Sequence, residues 1–380
     1  MSKINVRSFS NENEDGAPDL VGITTFSATS YFVPTRGTTA QRPSDHVEVG
    51  SLRYNYDTKN LEYYRGKTLG WSQFVLQEPA TIGTRGVFAL GYTGSAYINS
   101  IDFITIATEG NAADFGDLTV AKGFVAAAGS TTRSVFSRGY TGSQTNVLDY
   151  VTIATQGNAL DFGDATTDAH SPAGCGDSTR GLFGGGTPSI DTLEFFTFDS
   201  TGNATDFGNL YSVRDMGACS SRTRGTFVGG NISSGGNVNT MQYVTIQSLG
   251  NGVDYGDLAT SAFGVTGCSS STRGIFAGGT VSPFPGTNTI QFVTMSTTGN
   301  TADFGDLNFN FYRGASCSSN IRAVIIQGSK DGGQPQNSID FITIATTGNA
   351  TDFGDISWSP SVGYHAIGAL SDSHGGLGGY

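Results

Sequence analysis

The residues best suited to chemistry are two carboxylates three positions apart, in a motif that recurs six times and holds both carboxylates in five of its copies. The motif reads D-[FY]-G-[DN] and begins at Asp114, Asp161, Asp206, Asp254, Asp303 and Asp352. Calcium prefers six to eight oxygen ligands, so one motif supplies too few, and motifs in separate repeats lie too far apart to share an ion. A kinase uses a D-F-G aspartate for magnesium, but it also needs a V-A-I-K lysine and an H-R-D loop, which this sequence lacks. The motif therefore predicts a structural turn and no metal site.

A set of six arginines is the expected partner of these carboxylates. The unit T-R-G-x-F-x-G-G recurs, more weakly at its last copy, from Arg85, Arg133, Arg180, Arg224, Arg273 and Arg322. Each arginine opens the second strand of its repeat and the first aspartate opens the fourth, so we expect a bidentate arginine–carboxylate pair within or between repeats. The alternative is an electropositive ring that binds an anionic ligand, and it conflicts with the carboxylate in every repeat.

Other catalytic arrangements have no support in the sequence. Copper chemistry would need clustered histidine and tyrosine ligands, but His46, His170, His365 and His374 occupy unrelated repeat positions. A nucleophile elbow, a phosphate-binding P-loop and an H-E-x-x-H motif are all missing. The sequence therefore predicts no enzyme and no cofactor. A polysaccharide-acting hydrolase stays open as the alternative, because any two of the 32 acidic residues could converge as a catalytic pair.

Short strands are the elements that position these residues. Each repeat reads as a small-residue segment such as GACSS, the R-G-x-F-x-G-G segment, an alternating run such as Ile101-Asp-Phe-Ile-Thr-Ile106, and D-F-G-D-L. A Gly-Asn pair between the last two predicts a hairpin turn, because glycine and asparagine tolerate positive φ. Repeats of four strands are typical of propeller blades. The fold class is therefore all-β, a β-propeller of about six four-stranded blades.

The C-terminus leaves six and seven blades open. Residues Val362 to Leu370 look like another first strand, and His374 to Tyr380 like another second strand. They either close the ring by pairing with the blade that begins near Thr84, or they combine with N-terminal strands to make a seventh blade. We favour six blades.

Four cysteines share one repeat position, five residues before a repeat arginine. They are Cys175, Cys219, Cys268 and Cys317, and Ala80 and Ala128 hold the same position. A disulfide requires Cα atoms within about 7 Å, whereas one cysteine per blade at a constant position favours a small buried side chain. We expect reduced, buried thiols.

Charge separates the chain from nucleic-acid and membrane-surface proteins. The formal net charge is −12 and the pI is about 4.6, so phosphate backbones and anionic lipids are repelled and neither nucleic acid nor membrane is an expected partner. The N-terminus lacks the apolar core of a secretory signal, and no stretch approaches the roughly 20 apolar residues that span a bilayer. We expect a protein made in soluble form in a cytoplasm.

Composition predicts three regions. Residues 1–45 are polar and aperiodic and read as an extended arm. Residues 46–78 read as an adaptor, with a β-hairpin formed by Ser51-Leu-Arg-Tyr-Asn-Tyr56 and Leu61-Glu-Tyr-Tyr-Arg65 and followed by Trp71. Residues 79–380 form the propeller. A lone hairpin is marginally stable in water, so we expect it to pack on the propeller or on another chain.

Two resemblances cover most of the chain. The blades resemble Kelch-type propellers in the Gly-Gly after the second strand, although Phe and D-F-G-D replace the Tyr and Trp of Kelch blades. Phe26-Ser-Ala-Thr-Ser-Tyr-Phe-Val-Pro34, Gly37-Thr-Thr-Ala-Gln-Arg-Pro43 and Gly50-Ser-Leu-Arg-Tyr-Asn-Tyr-Asp-Thr58 with Leu61-Glu-Tyr-Tyr64 resemble segments of virion structural and tail-fibre proteins of tailed phages, especially those of marine cyanobacteria. The resemblance implies a virion component assembled in a host cytoplasm, in multiple copies, that contacts other virion proteins through residues 1–78.

The loops between second and third strands absorb most of the length variation between repeats, which predicts a binding face. Tyr92, Tyr97, Tyr140 and Phe284 place aromatic rings there among Ser, Thr, Asn and Gly. Such a mixture suits stacking on sugars or gripping a protein epitope. The expected partner is a host-surface glycan or protein, or a neighbouring virion protein bound with avidity. The alternative is that these are merely solvated loops.

Overall fold

A computed structural model describes residues 34–45, 47–73, 84–281, 286–330, 334–335, 337–357 and 367–377. The chain divides into two compact units, Met1–Glu78 and Pro79–Tyr380. Strands dominate both units, and the only helical segments among the described residues are two 3-10 turns, Thr39–Gln41 and Gly375–Leu377. Neither turn is long and apolar enough to cross a membrane.

The first unit contains a four-stranded sheet in the order β1-β2-β3-β4. Its strands are β1 (Thr35–Gly37), β2 (Leu52–Asn55), β3 (Asn60–Tyr64) and β4 (Trp71–Gln73). The predicted hairpin is β2 and β3. The structure adds β1, which pairs parallel to β2, on one side and β4, which pairs antiparallel to β3, on the other. Most of the predicted arm lies outside the described residues, but its end supplies β1.

A buried ion-pair network holds this small sheet together. Glu62 on β3 is fully buried, and its carboxylate accepts hydrogen bonds from Arg42 Nε at 3.2 Å and from Asn55 Nδ2 at 2.8 Å. The guanidinium of Arg53 lies 3.6 Å from the same carboxylate. The hydrogen bond from Arg42 lowers the pKa of Glu62 against the opposing effect of burial. The four residues of this network all lie in segments that carry the resemblance to virion proteins.

The second unit contains six four-stranded blades, each a meander of antiparallel strands. Blade 1 contains β5 (Arg85–Ala89), β6 (Ser100–Thr105) and β7 (Ala113–Asp117). Blade 2 contains β8 (Ala127–Gly129), β9 (Arg133–Phe136), β10 (Thr145–Thr152) and β11 (Leu160–Ala169). Blade 3 contains β12 (Ala173–Gly176), β13 (Arg180–Gly184), β14 (Ile190–Thr197) and β15 (Thr205–Val213). Blade 4 contains β16 (Gly217–Ser220), β17 (Arg224–Val228), β18 (Thr240–Thr245) and β19 (Val253–Asp257); blade 5 β20 (Thr266–Ser269), β21 (Arg273–Ala277), β22 (Thr287–Thr294) and β23 (Ala302–Phe311). Blade 6 contains β24 (Ala315–Ser318), β25 (Arg322–Ile326), β28 (Ser338–Thr343) and β29 (Thr351–Asp355), with a small hairpin of β26 (Ser329–Lys330) and β27 (Gln334–Pro335) between its second and third strands.

The C-terminus supplies the missing first strand of blade 1. Strand β30 (Gly368–Ser371) pairs antiparallel with β5. The first strands of neighbouring blades then contact one another around the whole ring, from β8 through β12, β16, β20, β24 and β30 back to β8. The all-β propeller fold is confirmed, with six blades closed by the C-terminal strand.

The described residues after β30, up to Leu377, do not form the second strand that their sequence suggested. His374 begins a turn that continues into Gly375–Leu377, at the inner ends of the first strands. His374 Nε2 lies 2.8 Å from the Gly129 carbonyl oxygen, and its Nδ1 accepts the Gly376 amide at 3.1 Å. Gly375 and Gly376 approach the backbone of Ser270 and Gly176 so closely that a Cβ atom would clash. The segment therefore fills one end of the central channel instead of extending a blade.

Each blade bonds to the preceding one through its Gly-Asn turn. Gly250 of blade 4 donates its amide to the Phe207 carbonyl of blade 3 at 3.0 Å, and Asn251 Oδ1 accepts the Asn209 amide at 3.0 Å. Equivalent bonds join all six blades, including blade 1 to blade 6. The asparagine was expected for its tolerance of positive φ, but only the glycine adopts one. The asparagine is needed as a side-chain acceptor instead.

The same contact explains the glycine of D-F-G. Gly208 has a φ of +148°, and a Cβ atom there would lie 2.5 Å from the Gly250 carbonyl oxygen of the next blade. The other five D-F-G glycines meet the next blade in the same way. Only glycine lets the turn approach closely enough to form its hydrogen bonds.

The four cysteines are free and buried, as predicted. They lie on first strands, and three of them pack against the glycine that follows the arginine of the next blade, so that a Cβ atom at Gly274 would lie 2.9 Å from Cys219 Sγ. The fourth, Cys268, packs in one core cluster with Ala323, which holds that glycine position in blade 6. Burial raises the pKa of all four thiols. They therefore stay protonated and serve as small apolar side chains.

We predict that Gly208→Ala destabilises the propeller far more than its matched control Gly202→Ala. Both glycines have nearly the same positive φ, +148° and +156°, but nothing lies within 4 Å of a Cβ atom at Gly202. The two variants share the backbone cost, and Gly208→Ala adds overpacking against the next blade, about 1–3 kcal/mol more. Urea unfolding of both variants measures the difference. Equal losses would show that the close approach between blades does not constrain this position.

Candidate functional site: the loop face of the propeller

One face of the propeller carries all the variable loops. Second strands end and third strands begin at this face, and the connections from each fourth strand to the next first strand lie there too, because the strands of each blade run antiparallel. We call it the loop face. The opposite face carries the short turns between first and second strands, where Ser270 Oγ accepts the Arg273 amide at 3.0 Å. Length variation between repeats therefore lies on one side of the propeller.

Three of the four predicted binding residues form a contiguous row on the loop face. The rings of Tyr92 and Tyr97 have centroids 4.8 Å apart, and those of Tyr97 and Tyr140 5.7 Å. All three are half-buried. Burial raises the pKa of Tyr97, and the neighbouring phenols add to the effect. We call these three residues the tyrosine row. The fourth predicted residue, Phe284, lies outside the described residues.

The tyrosine row leads to the centre of the face. The Tyr140 ring packs against His170 at 5.2 Å, and His170 packs against Phe124 at 5.2 Å. Burial lowers the pKa of His170; Arg313 and Arg214 lower it further, and Asp215 opposes them. The imidazole is therefore uncharged at neutral pH. A continuous aromatic surface runs from blade 1 towards the axis.

The connections between blades meet around the axis in an unusual backbone conformation. One residue in each of five connections has a left-handed φ of +54° to +66°: Phe124, Ser171, Asp215, Gly264 and Arg313. Successive members are bonded in a chain, for example Ser171 N to Phe124 O at 2.8 Å and Arg313 N to Gly264 O at 2.9 Å. We call this set the axial mouth. The sixth connection lies outside the described residues.

Side chains of the axial mouth converge on Arg313. Its Nη2 lies 3.1 Å from Asp215 Oδ2, and its guanidinium lies over two rings, with distances to the centroids of 5.4 Å for Phe124 and 5.7 Å for Phe263. Phe124, Asp215 and Arg313 come from alternate connections around the ring. Side chains from three sides of the axis therefore contact one another at the Arg313 guanidinium. The cavity between them measures about 60 Å³. It can enclose only the edge of a small molecule.

The six repeat arginines do not pair with the D-F-G aspartates, contrary to the sequence prediction. Each guanidinium lies over the aromatic ring of the third strand of its own blade, 4.2–4.9 Å from the centroid. Each also donates to a carbonyl of the next blade, for example Arg273 Nη1 to Ile344 O at 2.9 Å. Of the described carboxylates, only that of Glu109 lies within 4 Å of any of these six guanidinium groups, 3.6 Å from Arg322 Nη2.

Strand register explains why the pairing fails. Arg273 lies opposite Thr294 on the third strand, whereas Asp303 lies opposite Gln291. The two residues are thus offset by three positions, about 10 Å along the blade. All six first aspartates are exposed to solvent. The contacts of the arginines are with aromatic rings and backbone carbonyls instead.

Sequence reasoning also missed a second set of contacts between blades. The second residue of each third-strand run is an acid or glutamine amid apolar neighbours, and its side chain bonds to the segment that follows the preceding D-F-G-D motif. Ser357 N donates to Asp102 at 3.1 Å, and Ala259 N donates to Gln291 at 2.9 Å. Burial raises the pKa of Asp102. The signal was a polar residue recurring inside an apolar run.

The axial mouth gave no such signal, because its residue type differs in every blade and only the backbone conformation repeats.

Two of the histidines weighed as copper ligands, His46 and His365, lie outside the described residues. Within the described ranges, no group of three or more His, Cys, Asp or Glu side chains gathers as a metal site requires.

No protein-family model matches the chain, and no curated protein matches it.

A double-mutant cycle distinguishes the observed partner of the arginine from the expected one. We predict that Arg273→Ala and Phe292→Leu are coupled by about 0.5–1 kcal/mol, because the ring lies 4.8 Å from the guanidinium. Arg273→Ala and Asp303→Ala are predicted to be additive within about 0.5 kcal/mol. Thermal unfolding of the single and double variants gives both values. A larger coupling to Asp303 than to Phe292 would contradict the assignment.

Proposed function

We propose that this protein is a non-catalytic structural and binding module of a tailed-phage particle, of the tail-fibre or decoration kind. Its propeller presents the loop face to the host surface, and residues 1–78 attach it to other virion proteins. The observation that carries the proposal is the tyrosine row, which places three half-buried rings side by side on the variable face. A neighbouring virion protein is the second candidate partner for that face.

The propeller supports this role as a rigid scaffold. Hydrogen bonds join every blade to the next around a closed ring. Loops on such a scaffold can change sequence without disturbing the blades, and a surface held in its binding conformation loses little entropy on binding. The scaffold and the binding surface are therefore separate parts of the same repeat.

The chemistry of the tyrosine row favours a glycan. Tyrosine offers an apolar ring face for the C–H face of a sugar and a hydroxyl for hydrogen bonding. Neighbouring polar groups are held in place locally, since Tyr92 Oη donates to the Gly94 carbonyl at 2.9 Å and Ala96 N donates to Thr93 Oγ1 at 3.0 Å. Weak sites of this kind become effective when many copies act together on one particle.

The N-terminal unit supports a separate attachment role. It has its own sheet and its own buried charge network around Glu62, distinct from the propeller core. The residues that resemble virion proteins lie in this unit, which suits a shared attachment device. We propose that truncation at residue 79 separates attachment from display.

Particle assembly and host adsorption test the two halves of the proposal. We predict that a chain beginning at residue 79 folds but does not join particles. In the full-length chain, Tyr92→Ser/Tyr97→Ser/Tyr140→Ser is predicted to leave assembly unchanged and to reduce host adsorption at least about tenfold, as expected for loss of a central aromatic contact. Tyr211→Ser is the control, because Tyr211 is an exposed tyrosine on the outer strand of blade 3.

Three outcomes would contradict the proposal: incorporation of the truncated chain into particles, unchanged adsorption by the triple variant, or depolymerisation of host polysaccharide by the purified protein.

A further inference from the structure

The axial mouth holds large side chains where the backbone favours glycine. A left-handed φ costs a residue with a Cβ atom about 1–2 kcal/mol, and for a bulky residue it is uncommon. Blade 5 uses Gly264 at this position, which shows that the fold accepts glycine there. Phe124, Asp215 and Arg313 occupy the same position in other connections. Strained residues of this kind concentrate at ligand-binding sites, so their side chains point to a function.

These three side chains form one preorganised polar and aromatic site. The Arg313 guanidinium lies over the Phe124 and Phe263 rings and is paired with Asp215. A guanidinium donates hydrogen bonds and a carboxylate accepts them. A sugar presents hydroxyl groups that do both and an apolar face for the ring of Phe124. The site therefore has the complementary groups for one sugar residue.

Charge favours a neutral sugar over an acidic one. Asp215 lies 3.1 Å from Arg313 and balances its charge. The nearby Arg214 is itself engaged, since its Nη2 donates to Asn231 Oδ1 at 3.2 Å. The whole chain carries a net charge of −12, which opposes the approach of an anion. A carboxylate-bearing sugar would therefore compete with Asp215 for the guanidinium.

Size and position indicate how the glycan lies. The cavity of about 60 Å³ accepts the edge of a terminal residue and not a chain that crosses the axis. From the mouth, His170 and then Tyr140, Tyr97 and Tyr92 extend outward with ring centroids about 5 Å apart, between 4.8 and 5.7 Å. These steps are comparable to the length of one sugar ring. The following sugars of the chain can stack along the tyrosine row.

We infer that the axial mouth binds the terminal neutral hexopyranose of a linear glycan end-on, with the rest of the glycan on the tyrosine row. The inference rests on the proposed function, because it names the ligand of the same loop face. Arg313 and Asp215 bond the sugar hydroxyls, and Phe124 packs on the sugar ring.

The test measures sugar binding by the purified full-length protein. The probes are methyl glycosides of glucose, galactose, mannose and N-acetylglucosamine, methyl glucuronide, and a linear tetrasaccharide of whichever neutral sugar binds. Saturation-transfer NMR and titration should show binding of at least one neutral glycoside with a Kd on the order of 1 mM, as expected for so small a ligand. The tetrasaccharide should bind at least about tenfold more tightly, because it adds contacts along the row.

Phe124→Gly separates binding from stability. Glycine suits the φ of +60°, so the variant should fold with a similar melting temperature and lose binding at least about tenfold. Lys59→Gly is the matched control, because Lys59 has a φ of +56° in the first unit and its replacement should leave binding unchanged. Asp215→Asn is a second variant that keeps the shape of the site and should also weaken binding at least about tenfold.

The inference is overturned if no neutral glycoside binds, if methyl glucuronide binds more tightly than every neutral sugar, or if folded Phe124→Gly and Asp215→Asn bind like the wild type. A protein that binds no sugar while the tyrosine triple variant still impairs adsorption refutes the inference and leaves the proposed function standing. Sugar binding by a chain that never enters particles refutes the proposed function and leaves the sugar-binding inference standing.

Discussion

The hydrogen bonds between the Gly-Asn turn of one blade and the fourth strand of the preceding blade are the constraint on which the propeller depends. A turn can donate its amide at 3.0 Å, as Gly250 does to Phe207, only if the facing backbone carries no side chain there. Gly208 meets this requirement, and Asn251 adds a side-chain bond to the same strand.

Other repeat positions serve the same contact between blades. Arg273 spans from the ring of Phe292 in its own blade to a carbonyl in the next. Cys219 fills the space that Gly274 leaves on the neighbouring blade. Residues that repeat thus hold blades together, and residues that vary lie on the loop face. This division leaves the residues of the axial mouth and the tyrosine row free to differ from repeat to repeat.

Much of this architecture could be predicted from the sequence because strand periodicity and turn chemistry are local properties. The four strands per blade follow from repeats that align by eye. The C-terminal repeat fragment was recognised too, but the sequence left open whether it closes the ring or adds a seventh blade. The arginine pairing could not be predicted, because a three-residue offset in strand register decides it and the sequence does not state that register. Phe284 stays an untested prediction.

The candidate site was predicted only in part, because linear sequence does not show which residues the folded ring brings together. Tyr92, Tyr97 and Tyr140 stood out as aromatic residues in variable loops. Phe124, Asp215 and Arg313 did not, because what they share is a backbone conformation and a position around an axis. Convergence of residues from alternate blades is a property of the closed ring and has no counterpart in linear spacing.

Hydrogen exchange at the joints between blades tests most directly whether these contacts make the ring a single cooperative structure. The amides of Gly110, Gly157, Gly202, Gly250, Gly299 and Gly348 each donate to the preceding blade, and under native conditions they report opening at one joint apiece. If the contacts between blades make the ring one cooperative structure, all six amides exchange with the same free energy as global unfolding, including Gly110 at the joint between blades 1 and 6. A free energy of opening at one joint that is several kcal/mol lower than at the others would show local opening there and would contradict a single cooperative ring.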